Sequence, residues 1–146
     1  MTPMARGLDE HKARRDALSA LGKDLARRSG RKCELCEVGG QRLDPHEVTP
    51  LPEEPHLGQA VLLCAECSHA ALSEKKVRLG DLNRWRFLEG VVWSDVAPVQ
   101  VVAVRLLRRV AGAGAEWAVE LEQGLYLSDS VAQWVDGASP AEELFE

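Results

Sequence analysis

The sequence predicts an α+β chain, mostly helical, in which a small four-cysteine metal-binding module is followed by a helical cluster. Three observations lead there. The four cysteines of the 146-residue chain fall into two Cys-x-x-Cys pairs, Cys33/Cys36 and Cys64/Cys67. Apolar residues recur at three- and four-residue steps before the first pair and through most of the second half. Strand-like runs are short and confined to the segment between the pairs.

Residues 1–28 read as a basic helical arm. Leu18, Leu21 and Leu25 fall on one side, Gly22 weakens the pattern, and Gly30 suits a C-cap with Arg27 and Arg28 in the last turn. Residues 29–75 read as the four-cysteine zinc-binding module, a zinc-ribbon or treble-clef-like knuckle. Gly39-Gly40 after the first pair suits a tight turn, and Arg42–Val48 suits a short strand that Pro45 confines to an edge or end. Pro50, Pro52 and Pro55 make Thr49–Leu57 a loop, and Ala60–Leu63 a short buried strand leading into Cys64. A helix from Ala65 to about Ser73 then places the second pair at a strand-to-helix junction, where a helix N-terminus favours thiolate.

Residues 76–138 read as helical. Asp81 suits an N-cap for Leu82–Leu88, burying Leu82, Trp85 and Leu88. Ser94 or Asp95 suits the cap of a helix with Pro98 in its first turn and a stripe of Val99, Val102, Ala103, Leu106 and Val110, ending in Arg105, Arg108, Arg109 and Gly112. A helix over Glu116–Gln123 and one capped by Ser128, carrying Val131, Trp134 and Val135, complete the set. All four tryptophans are assigned to the core, and residues 139–146 to a frayed tail.

The composition, 45% hydrophobic and 28% charged, is that of an ordinary globular protein. The longest apolar stretch, around Val99–Leu107, is broken by Gln100 and Arg105 and is too short to span a bilayer. Residues 1–15 lack the apolar run of a secretory signal, so the expected setting is a reducing cytoplasm without a membrane partner. There, paired cysteines favour a metal; a redox pair or structural disulfides are the competing readings. The net charge of −5 divides into +5 over residues 1–32 and −10 over the rest, with eight acids and no Lys or Arg from Ala111 onward. The basic arm suits an anionic partner; a solvated helix face, or an arm that neutralises the acidic tail in cis, is the preferred reading, because charge runs usually serve solubility.

Four thiolates at this spacing can occupy the corners of a tetrahedron around one structural Zn²⁺, leaving no open position for water or substrate. Iron in a rubredoxin-like site is the rival. His46 and His69 are candidate ligands of a Cys/His variant; His46 otherwise reads as a loop residue near the site, and His11 and His56 as exposed. Arg31 and Lys32 are expected to offset the formal −2 of a tetrathiolate site. No phosphate loop, dinucleotide fingerprint or nucleophile elbow occurs.

The stretch Leu25–Leu72, with "ARRSGRKCELCE", "HEVTP" and "VLLCAECSH", resembles the ββα-metal core of HNH nucleases. In that family the cysteine pairs hold a structural Zn²⁺, and a His-rich segment supplies the general base and part of a catalytic metal site. Here His46 stands at the first position, and Glu47 where the general-base His belongs. A carboxylate with a reference pKa of about 4.3, against about 6.5 for His, is a poorer base at neutral pH. His69 is displaced by one residue, a turn of about 100° on a helix. The resemblance therefore implies a treble-clef-like metal fold without nuclease activity; a divergent metal-dependent endonuclease using His46, Glu47 and His69 is the alternative.

A longer resemblance runs from about Arg27 to Trp134. "RSGRKCELCE", "HEVTP", "VLLCAEC", "LNRWRFLEGVVWSDVAPVQVVAVRLLRRV" and "YLSDSVAQW" are similar to the PhnA family, the bacterial zinc-ribbon proteins named after an alkylphosphonate operon. Its specific part is the order Asn83–Arg86, Val92–Ser94, Pro98–Val101. The resemblance implies Zn²⁺ on the four cysteines and a cytoplasmic bacterial protein. It does not imply phosphonate chemistry, which would need an open metal with His and carboxylate ligands. The expected function is a non-catalytic binding or regulatory module. Besides the endonuclease, a nucleic-acid-binding zinc ribbon acting through the basic arm is an alternative.

Overall fold

The computed structural model describes residues 3–145. Met1 and Thr2 and the Arg6 side chain, all counted in the expected arm, and Glu146 of the expected tail lie outside the described residues. The arm is two helices, α1 (Pro3–Ala20) and α2 (Gly22–Ser29), rather than one. The break falls at Leu21, beside Gly22, a weak helix former. The Leu21 N–H bonds Leu18 O at 3.1 Å, a tightened last turn. α2 ends as the sequence predicts: Gly30 sits at φ 67°, and the Arg31 N–H reaches back to Ala26 O at 2.8 Å, the Schellman pattern.

Strands β1 (Asp44–Glu47) and β2 (Ala60–Leu63) pair antiparallel, with Asp44 opposite Leu63 and Glu47 opposite Ala60. Strand alternation gives the ribbon two jobs. Ala60 and Leu62 pack with Leu25 of α2, whereas Val61 and Leu63 join the main core that holds the cysteines. β2 runs into α3 (Ala65–Leu72).

The second half is organised by α5 (Ala97–Gly112). Its Val99, Leu106 and Val110 are buried as the stripe predicts, but so are Val101, Val104 and Leu107. A helix apolar around most of its circumference must be covered around most of it. It packs against α3, α4 (Leu88–Val91), α6 (Glu116–Gly124) and α7 (Asp129–Val135). The caps at Asp81 and Ser128 form, accepting from Asn83 N at 3.0 Å and Val131 N at 3.3 Å. The expected helix Leu82–Leu88 is instead a 3₁₀ turn, Leu82–Trp85, followed by the single turn of α4. α5 has no side-chain cap; Ser94 Oγ accepts from Val96 N just ahead of it, at 3.1 Å. Among the described residues, no helix is long and apolar enough to cross a membrane.

The tryptophans divide. Trp85 and Trp134 are buried, the latter donating from Nε1 to Thr49 O at 3.1 Å. Trp117 is half-buried with the Arg86 guanidinium 5.5 Å from its ring. Trp93 is 49% exposed, contrary to its core assignment, because it lies in the turn between α4 and α5 rather than on a packed helix face. Truncation should separate the two kinds. Trp134→Ala is expected to cost about 3–5 kcal/mol in urea unfolding, and Trp93→Ala less than about 1 kcal/mol. The tail also differs from expectation: Glu142–Phe145 forms a 3₁₀ turn, and the Phe145 ring lies 4.9 Å from His56 and 6.5 Å from Trp134. An aromatic ring with aromatic partners in reach gives the chain end something to dock on.

Candidate metal centre

Two backbone turns bring the thiols together. In the first, the Cys33 N–H bonds Val38 O at 3.0 Å and the Glu37 N–H bonds Cys33 O at 2.9 Å, with Glu37 in the left-handed region at φ 65°. In the second, Cys64 sits at the N-cap of α3 and Cys67 in its first turn. The Glu34 N–H, bonded to Leu62 O at 2.9 Å, joins the first turn to the strand that carries the second.

The four sulfurs all lie within 4.8 Å of one another, and Cys36 Sγ and Cys64 Sγ are 3.8 Å apart. A tetrahedral ion with metal–sulfur bonds of about 2.3 Å needs sulfurs about 3.8 Å apart. A disulfide needs about 2.05 Å, and all four cysteines are free. The arrangement can therefore hold one metal ion. Cys33, Cys64 and Cys67 are buried and Cys36 is half-buried, so Cys36 is the ligand nearest to solvent.

The electrostatics of the four thiols favour a cation. The Cys67 thiol hydrogen-bonds the Cys33 sulfur and holds its pKa down to about 4; burial opposes this, while the backbone N–H groups of Cys64, Cys36 and Leu35 add to it. Burial, then the Cys33 charge, pushes Cys36 up to about 11. Cys67 is also raised, by its bond to Cys33, by burial and by the neighbouring sulfur charges. One thiolate is thus stabilised by dipoles at the expense of its neighbours, and a divalent ion reverses that order by favouring all the thiolates together. Arg31 and Lys32, expected to offset the sulfur charge, are exposed; backbone amides are among the groups that stabilise the Cys33 thiolate.

The cysteine cluster rests on a salt bridge that sequence reasoning missed. Arg28 of α2 grips Glu34, which lies between the first two cysteines, through Nε (2.9 Å) and Nη2 (2.7 Å). The same guanidinium donates to Leu57 O and Ala60 O at 3.0 and 2.7 Å, and Glu34 Oε1 accepts from Leu62 N at 2.9 Å. The Glu34 side chain is only 4% exposed. The one signal in the sequence was a carboxylate inside a Cys-x-x-Cys, six residues after an arginine.

The residues of the HNH comparison are not gathered into a metal group. Glu47 is gripped at both oxygens by Arg14 of α1, at 2.7 Å each, and Arg14 also donates to Pro52 O and Glu53 O. This bond raises the Arg14 pKa. His46 lies on β1 opposite Val61, not in a loop; burial pushes its pKa down. His69 is exposed on α3. Among the described residues, the four cysteines are the one cluster of three or more metal-ligating side chains. His11 is exposed, as is His56, whose Nδ1 accepts from Gly58 N at 2.8 Å.

Two α5 arginines brace the neighbouring helix ends. Arg109 donates to Ala70 O and Ser73 O at the end of α3, and Arg105 to Trp134 O and Val135 O at the end of α7. Both meet the negative pole of a helix. No family model, curated protein or solved structure matches the chain.

Proposed function

We propose that the chain is a zinc-stapled, non-catalytic binding or regulatory module of the PhnA type, with Cys33, Cys36, Cys64 and Cys67 as the ligands. The observation that carries this reading is four free sulfurs at single-ion spacing, three of them buried. Thiolate donors suit Zn²⁺, which has no redox chemistry, and four protein ligands complete its coordination. When bound, zinc supplies a cross-link. The protein's own residues do the rest: the backbone amides around Cys33 orient its sulfur, and the Arg28–Glu34 clamp sets the height of the first turn against β2. A zinc-ribbon or treble-clef-like description of residues 29–75 fits this arrangement of turn, hairpin and helix. What supports a non-catalytic role over the endonuclease alternative is Arg14, which occupies the Glu47 carboxylate that a base would need free.

Metal analysis of the purified chain tests the proposal. One zinc per chain is expected, with the four thiols unreactive toward a thiol reagent until a chelator is added. A visible-absorbing iron centre, or freely reactive thiols with no bound metal, would refute it.

A further inference from the structure

Where β1, α3, α5 and α7 meet, the chain forms an open cleft of about 440 Å³ whose lining includes Thr49, Glu74, Arg105, Arg108 and Arg109. The three arginines lie at three- and four-residue steps on α5, so they share a face. Their partners differ. Arg108 pairs with Asp136 and Glu122. Arg105 and Arg109 hold neutral oxygens: Trp134 O, Val135 O and Thr49 Oγ1 for the first, Ala70 O and Ser73 O for the second.

A half-buried guanidinium is ordinarily matched by an anion. Among the described residues, neither Arg105 nor Arg109 has a carboxylate partner. The two helix ends account for part of this positive charge, but for less than all the N–H groups: three of the five on Arg105 and two of the five on Arg109 are used in those bonds. Arg14 neutralises Glu47, the carboxylate at the edge of the cleft. The lining sets three arginines against Glu74 and the Arg14-paired Glu47, so positive charge is in excess; burial, then the charge of Arg108, pushes the Arg105 pKa down, although Asp136 opposes this. The cavity is of small-molecule size, and guanidinium forks match phosphate oxygens.

We propose that this cleft binds a phosphate group on a small molecule through Arg105 and Arg109, with Arg108 adding charge. The proposal is independent of which metal the sulfurs take.

The experiment is a titration of the full chain with inorganic phosphate at constant ionic strength, following arginine Nε–H resonances. A saturable shift centred on Arg105 and Arg109 is expected, absent with chloride. Arg109→Lys keeps the charge but loses the fork, and should weaken binding about tenfold or more. Because that variant also loosens the end of α3, Glu74→Gln is the second probe. It removes a carboxylate from the lining, leaves both arginines and the carbonyls they hold in place, and should tighten binding several-fold. A nucleoside monophosphate distinguishes a free phosphate site from one built for a phosphorylated metabolite: tighter saturable binding than phosphate supports the proposal in full. No saturable shift with either probe, the same shift with chloride, or a Glu74→Gln protein that binds no tighter would overturn it.

Discussion

Cys67→Ser is expected to unfold the cysteine module and take most of the chain's cooperativity with it. Cys67 is 1% exposed and belongs to the same apolar cluster as Val61, Leu63 and the inward face of α5. Structural zinc sites contribute about 10–16 kcal/mol of apparent binding free energy at pH 7, against a whole-domain stability of about 5–15 kcal/mol. On the proposed reading the two turns are joined through one ion, and the module has little left when a ligand is lost. The measurement is thermal melting by far-UV circular dichroism: a fall in Tm of more than about 10 °C, with an early loss of signal, is expected. Ser68→Ala, the neighbouring position on α3, is the control and should melt within about 2 °C of wild type. If Cys67→Ser melts like the control, and a chelator leaves the parent protein unchanged, the sulfurs are not joined by a metal.

The same site predicts a pH dependence whose sign follows from the thiols. At pH 7, before metal enters, Cys33 is ionised, since its pKa is held near 4, while Cys36, pushed up to about 11, and Cys67, also raised, carry protons. Binding then releases at least those two protons, so metal affinity falls as pH falls, by about a hundredfold for each pH unit through the neutral range. The depressed Cys33 adds in the same direction only toward pH 4, where it too gains a proton. Competition with a chromophoric chelator at pH 8, 7 and 6 reads this slope directly. An affinity that is flat over that range would mean the ligands are already ionised without metal.

How much of this was legible depends on where the information lies in the chain. The cysteine pairs, the strand entering Cys64 and the helix leaving it were legible because each is a local pattern: ligand spacing, an apolar run of four, a change of periodicity. The caps at Gly30, Asp81 and Ser128 were legible for the same reason. What failed was set by distant partners. Trp93 has the same composition signal as Trp134, and only the packing around the turn between α4 and α5 tells them apart. Part of the arm's charge is used inside the chain, where Arg14 and Arg28 pair with Glu47 and Glu34; net charge counts residues and does not see pairing. The breadth of the buried face on α5 was underread because a stripe predicts one covered side, whereas α3, α4, α6 and α7 surround this helix.

Arg28→Ala is expected to cost about 3–5 kcal/mol, the usual result of leaving a buried carboxylate without its partner. Glu34 is the group left behind, 4% exposed and 2.7 Å from the lost guanidinium, and in the same step Ala60 O and Leu57 O each lose a bond from Arg28, Leu57 O keeping the Ala60 N–H. Glu34→Gln should be milder, about 1–3 kcal/mol, because the amide oxygen can still accept from Leu62 N while the charge match with Arg28 is lost. The paired substitution Arg28→Met with Glu34→Leu is the informative one. Where a buried ion pair serves only itself, apolar replacement is often neutral. Here the pair also satisfies two carbonyls and one amide of the hairpin, so the double variant should remain at least about 2 kcal/mol below wild type. It should still lie above the sum of the two single losses, by a coupling measurable in a double-mutant cycle of urea unfolding. Metal affinity gives a second reading. Glu34 sits between two ligands, so loosening it should weaken zinc about 10–100-fold, as the loss of groups that hold ligands in place usually does. A double variant as stable as wild type would show that the clamp serves only its own two charges and that the hairpin finds its hydrogen bonds elsewhere.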